Sequence, residues 1–113
     1  MRFDAGKIAL YTRPGSGVPA VMIESFKHKG LKRLFEDDDR RGVNPQHVRK
    51  LRQLLALLQA AENIADLDYP TLRLHPLKGD LQGFWSITVR ANWRIIFRFE
   101  NGKAFDLDLV DYH

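Results

Sequence analysis

The sequence predicts an α+β fold in which an N-terminal strand and two helices pack on an antiparallel sheet, and three observations predict it. Apolar residues recur at helical spacing in two stretches between residues 31 and 62. From residue 72 to residue 109 they alternate singly with polar ones. Asn101-Gly102 falls between the last two alternating runs, where a type I′ turn needs positive φ at both central positions.

The chain has 113 residues, enough for one domain. Residues 1–21 contain Pro14, Gly15, Ser16, Gly17 and Pro19, which break helix and strand alike. They read as a loosely ordered leader: an upstream start, a tag remnant or a true extension. Residues 22–113 read as the working domain. Met22 to Lys27 alternates apolar and polar residues and predicts a short strand. Leu31, Leu34 and Phe35 share a helical face, and the acidic run with Gly42 ends that helix. Asn44-Pro45 then offers an N-cap and an N1 proline to a second helix over about residues 45–62, carried by Val48, Leu51, Leu55 and Leu58. Such a helix is roughly 27 Å long. Its outward residues include Arg49, Lys50, Arg52 and Gln53, a solvated face or one that meets rRNA or an acidic partner.

Four strands follow. Leu72 and Leu74 alternate with Arg73 and His75, Trp85 to Val89 with Ser86 to Arg90, and Trp93 to Phe99 with Arg94 to Arg98. Phe105, Leu107 and Leu109 complete the meander beyond Asn101-Gly102. Arg90-Ala91-Asn92 marks the tip of the preceding hairpin.

Composition narrows the chemistry. Hydrophobic residues make up 44% and charged residues 28%, as in a folded soluble domain. No apolar run approaches the length of a membrane span, and the start lacks the pattern of a secretory signal, so the cytoplasm is the expected compartment. Without cysteine there is no disulfide framework, thiolate metal site or cysteine nucleophile. The net charge is +4 and unevenly spread. Glu36 to Asp39 form an acidic run, whereas residues 71–98 hold Arg73, Lys78, Arg90, Arg94 and Arg98 against Asp80 alone. A positive surface of this kind attracts a polyanion, although charge spread around a sheet is the plainer reading.

Alternation sends Arg73, His75, Arg94, Ile96 and Arg98 away from the core, with Asp111, Tyr112 and His113 beyond the last strand. Pro76 and Gly79 bend the chain so that His75 and Lys78 share a turn. Histidines and fixed cations suit cleavage of a phosphodiester whose nucleophile belongs to the substrate, as the 2′-OH of RNA does. The protein then supplies a base, an acid and positive charge for the phosphorane. Plainer readings stand beside this one: His75 as a surface hydrogen-bonding residue, the arginines as strand charges, Tyr112 as a terminal anchor. His28 and His47 fall at helix starts and read as structural. A zinc site through His75 and His113 lacks a third ligand.

Four segments carry a closer resemblance: Ile23-Glu24-Ser25-Phe26-Lys27-His28-Lys29-Gly30-Leu31, Leu74-His75-Pro76-Leu77-Lys78-Gly79, Gly83-Phe84-Trp85 through Asn92-Trp93-Arg94, and Asp111-Tyr112-His113. In this order they resemble the HigB toxins, a branch of the RelE superfamily found in type II toxin–antitoxin systems. The resemblance spans residues 22–113 and leaves residues 1–21 without a counterpart. It implies a RelE-like fold and a ribosome-dependent mRNA interferase that needs no metal or cofactor. It also implies two partners, the 70S ribosome with its mRNA and a helix-turn-helix antitoxin of the HigA type, and no membrane.

By that resemblance His75 transfers a proton, with His113 as partner or positioning group. Lys78 and Arg94 hold the phosphate, Arg73 and Asn92 contact the RNA, Tyr112 stacks on or orients a base, and Asp111 orients a histidine or bonds to the RNA. The terminal residues approach His75 only if the last strand is the sheet neighbour of the strand carrying Leu74. A non-catalytic module of the same fold that binds RNA or an antitoxin is the competing reading.

Overall fold

The computed structural model describes residues 23–112, so the leader, Met22 and His113 lie outside the described residues. Helix α1 is Lys29–Asp37. The His28 side chain caps it by accepting from the Leu31 amide at 3.1 Å, and Asp38 ends it in the left-handed region, as its short polar side chain tolerates. Asn44 caps the next segment, accepting from the Gln46 amide at 2.9 Å. A 3₁₀ turn over Pro45–His47 then leads into helix α2, Val48–Ala60.

The second helix is therefore shorter than the expected 45–62. At its far end the Asp66 carboxylate accepts from the Glu62 and Asn63 amides, drawing the chain out of the helix and into a 3₁₀ turn over Ile64–Leu67. Capping of the following turn sets this boundary.

The sheet has four strands in the order β1 His75–Pro76, β2 Trp85–Arg90, β3 Trp93–Glu100, β4 Lys103–Asp111, antiparallel throughout. This is the expected meander. Asn101 and Gly102, with φ of 53° and 74°, make the expected β3–β4 turn. Leu31 and Leu34 of α1, Leu51, Leu54, Leu55 and Leu58 of α2, and Ile87, Ile95, Phe97 and Leu107 of the sheet form one core. Both helices thus cover a single sheet face.

Two expected strands differ. The segment after Met22 has no ladder of its own. It runs beside β4 through two isolated parallel bridges, Ile23 with Ala104 and Phe26 with Leu107. A bulge in β4 explains this: Asp106 adopts φ of 55°, and the Ser25 hydroxyl accepts from its amide at 2.9 Å and donates to its carboxylate at 3.2 Å. The strand expected around Leu72 to His75 shrinks to His75–Pro76. Pro70 starts a 3₁₀ turn through Leu72, and Arg73 takes φ of 49°, so the extended conformation begins only afterwards.

Candidate active site

Residues directly opposite one another on paired strands share a face, so the register defines the surface turned away from the helices. His75 pairs with Ser86, Ser86 with Ile96, and Ile96 with Asp108, a row crossing all four strands. Thr88, Arg94 and Val110 form the next row. Ile96 and Ser86 are buried yet stand apart from the core cluster.

One group of candidates gathers at the β1 edge. The exposed His75 imidazole has Nδ1 3.0 Å from the Arg73 carbonyl oxygen. A carbonyl only accepts, so this contact favours the tautomer with the proton on Nδ1 and leaves the Nε2 lone pair directed elsewhere. The left-handed backbone of Arg73 precedes that turn, so this residue contributes a carbonyl as well as a guanidinium. Leu77 is buried and donates to the Phe84 carbonyl at 2.8 Å, and Gly79 supplies φ of 65°. These contacts fix the turn that holds the exposed Lys78 three residues from His75.

A second group surrounds the β2–β3 turn. Ala91 takes φ of 51° at its tip. The Arg94 guanidinium donates to the Ala91 carbonyl at 2.5 Å and the Trp93 carbonyl at 3.1 Å. Asp111 pairs with Trp93, and the Tyr112 amide donates to the Asn92 carbonyl at 2.8 Å, with the Tyr112 ring half exposed. Asn92, Arg94 and Tyr112 thus gather at this turn, while Asp111, opposite Trp93, stands on the face turned toward the helices.

They do not come together beside His75. β4 is the opposite edge of the sheet from β1, with β2 and β3 between, so the condition for the terminal residues to approach His75, a last strand next to the strand carrying Leu74, is not met. Three interstrand gaps are about 14 Å. His113 lies outside the described residues.

Arg73, Lys78 and Arg94 have no ion pair among the described residues, whereas Arg98 is paired with Glu100 at 3.2 Å and Arg90 donates to Gln46 at 3.4 Å. Sequence reasoning missed Ser86 and Thr88, which floor the space between the two groups. Thr88 Oγ1 is buried and has no hydrogen-bond partner among the described residues. The alternation of β2 places both on the open face, but only the register shows that they separate His75 from Arg94. Among the described residues no cluster of three His, Asp or Glu side chains could hold a metal, and no helix is long and apolar enough to cross a membrane.

Comparison with known proteins bears on the family and the fold. The family model for the RelE-like toxin of type II toxin–antitoxin system HigB matches residues 24–113. Endoribonuclease HigB of Proteus vulgaris is 53% identical over 92 residues, 81% of this chain and all of that protein. Toxin HigB-1 of Vibrio cholerae is 36% identical over 87 residues, covering 75% of this chain and 92% of that protein. Among solved structures, YafQ from Escherichia coli BL21(DE3) superposes with a TM-score of 0.56 at 17% identity, over 81% of this chain and 93% of that one, a likeness of fold. A histidine-to-glutamine mutant of YafQ from Escherichia coli gives 0.51 at 18% identity over the same shares. The chain belongs to the HigB-like toxins, the RelE-like toxins of type II toxin–antitoxin systems.

Proposed function

We propose that this toxin is a cytoplasmic endoribonuclease that cuts mRNA on the translating ribosome and so arrests growth. The family supplies the class of activity: the relative from Proteus vulgaris carries the name of an endoribonuclease. The observation that carries the reading is the exposed histidine with its Nδ1 on a carbonyl, together with the cations Arg73, Lys78 and Arg94, none of them ion-paired among the described residues.

His75 Nε2 is suited to move a proton at one oxygen of the scissile phosphodiester. When the 2′-oxygen attacks phosphorus, its proton goes to a base. The P–O5′ bond breaks, and the 5′-oxygen leaves with a proton from an acid, giving a 2′,3′-cyclic phosphate and a 5′-hydroxyl. Lys78 and Arg94 stabilise the charge that develops on the phosphoryl oxygens. The width of the face has a consequence. His75 and the Asn92, Arg94 and Tyr112 group are separate, so RNA lies across the sheet, with Tyr112 offering a ring for stacking and Arg73 and Asn92 further polar contacts. His113 is the candidate for the second proton role.

The chain by itself offers no long basic groove beside His75 to hold RNA in an attack geometry, so the ribosome supplies that positioning. As a toxin of this class it has an antitoxin partner, and a HigA-like helix-turn-helix protein fits that role. The test is His75→Ala. His75 is exposed and outside the core, so the variant folds and binds antitoxin, but expression no longer arrests growth. Arrest that persists would favour the alternative, a non-catalytic RNA- or antitoxin-binding module.

A further inference from the structure

The alternation of β2 ends at Thr88. Thr88 lies opposite Arg94 and Arg90 opposite Trp93, so Val89 is an extra residue and the strand bulges between Thr88 and Arg90. The bulge turns Arg90 toward the helix layer: its cross-strand partner Trp93 meets the ring of His47, and its own guanidinium donates to Gln46 at 3.4 Å. Thr88 is therefore the last residue of β2 on the open face. Directly opposite residues keep their β-carbons about 4.5–5.5 Å apart, which sets its side chain beside that of Arg94.

The two neighbours are unevenly used. Arg94 commits one nitrogen, Nη1, to the Ala91 and Trp93 carbonyls at the turn. Its Nε and Nη2 form no hydrogen bond among the described residues. Thr88 Oγ1 is buried and likewise has no hydrogen-bond partner among the described residues. A buried hydroxyl without a partner lowers stability, and valine, of the same shape and equally suited to a strand, would remove that cost. The hydroxyl adds nothing to this arrangement of Arg94, so its use lies in another one.

We propose that Thr88 is a positioning residue for RNA cleavage: its hydroxyl accepts from the Arg94 guanidinium when Arg94 leaves the turn carbonyls to meet the scissile phosphate. The inference rests on RNA being cut at this face and deepens that reading by giving Arg94 two positions. In the free toxin, neutral carbonyls hold the guanidinium. A phosphate outcompetes them, because hydrogen bonds between ionised groups are about twice as strong as neutral ones. Swinging off the turn and over the sheet carries the guanidinium past its cross-strand neighbour. The Thr88 oxygen then takes one N–H, and the others form a fork on the phosphate oxygens. Ser86 does not serve Arg94 in this way, since it lies opposite Ile96 in the row that contains His75.

The test measures thermal melting and single-turnover cleavage of translated mRNA for wild type, Thr88→Val, Thr88→Ser, Arg94→Ala and the combination of Thr88→Val with Arg94→Ala. Thr88→Val keeps the shape of the side chain, so its melting temperature should equal or exceed that of wild type. Its cleavage rate should nevertheless fall about tenfold to a hundredfold, the effect of one hydrogen bond to a charged group. Thr88→Ser, which returns the hydroxyl, should recover most of the rate. In the Arg94→Ala background Thr88→Val should cause no further loss, because the hydroxyl acts through Arg94. Cutting by Thr88→Val at the wild-type rate, no recovery with serine, or a full additional loss in the Arg94→Ala background would each overturn the inference. A lower melting temperature for Thr88→Val would do so too, by showing the hydroxyl to be bonded within the free protein. His75→Ala is run alongside: equal cutting by that variant, or none by wild type, would remove the cleavage reading itself and this inference with it.

Discussion

A histidine on a two-residue edge strand transfers protons usefully only if something fixes its ring, and here the Arg73 carbonyl does so from a left-handed residue two positions earlier. Residue 73 reads from the sequence as a strand cation, and nothing in alternation reveals that its backbone holds the imidazole. His28 and His47 are structural, as their positions at helix starts imply, but in different ways. His28 caps α1 through Nδ1, so His28→Ala should cost about 1 kcal/mol in chemical denaturation. His47 is 4% exposed and meets the Trp93 ring edge-on at 5.4 Å, joining the start of α2 to the strand that carries Arg94. Asp39 gives a pH prediction. The Arg41 guanidinium and amide hold its carboxyl at about 2, below the ordinary 3.8. A carboxyl depressed by folding stabilises the protein above its unfolded value and loses that contribution as pH falls through the folded one. Between pH 4 and pH 2 the melting temperature of wild type should therefore fall more steeply than that of Asp39→Asn, by a small margin because the pair is exposed.

At the scale of elements, legibility followed periodicity. The leucines of α2, the alternation in β2 and β3, and the positive-φ pair Asn101-Gly102 each obey a local rule that the fold respects. The differences arose where a long-range partner decides: the segment after Met22 takes its conformation from the β4 bulge at Asp106, and the strand at His75 is cut short by Pro70 and the turn at Arg73. The close approach of Gly30 in α1 to Gly42 is equally non-local, since a β-carbon at residue 30 would fall inside contact distance of the Gly42 carbonyl. Gly30→Ala should accordingly destabilise by about 1–3 kcal/mol, against the usual gain from alanine in a helix, read as a lower denaturant midpoint. Gly102→Ala, at φ of 74°, should also destabilise, by roughly 1 kcal/mol or more.

For the whole molecule, the separation of His75 from the C-terminal residues by two intervening strands makes the site a surface rather than a pocket. Residue types nominated the candidates; only sheet order shows how far apart they stand. Removing residues 111–113 should leave the core, since Ala104, Leu107 and Leu109 remain, yet lower activity by about 10²–10⁴-fold. Thermal stability and growth arrest of the deletion variant, measured side by side, check this. The family model begins matching at residue 24, so a chain starting at Met22 should fold and arrest growth like the full one, and an insoluble truncation would assign residues 1–21 to the domain. Cleavage of translated mRNA through His75 is the central claim, and mapping mRNA 5′ ends during translation tests it most directly. Wild type should produce new 5′-hydroxyl ends within messages being translated and none on naked RNA, and His75→Ala should produce neither. New ends of equal abundance with His75→Ala, or efficient cutting of naked mRNA by the purified wild type, would contradict it.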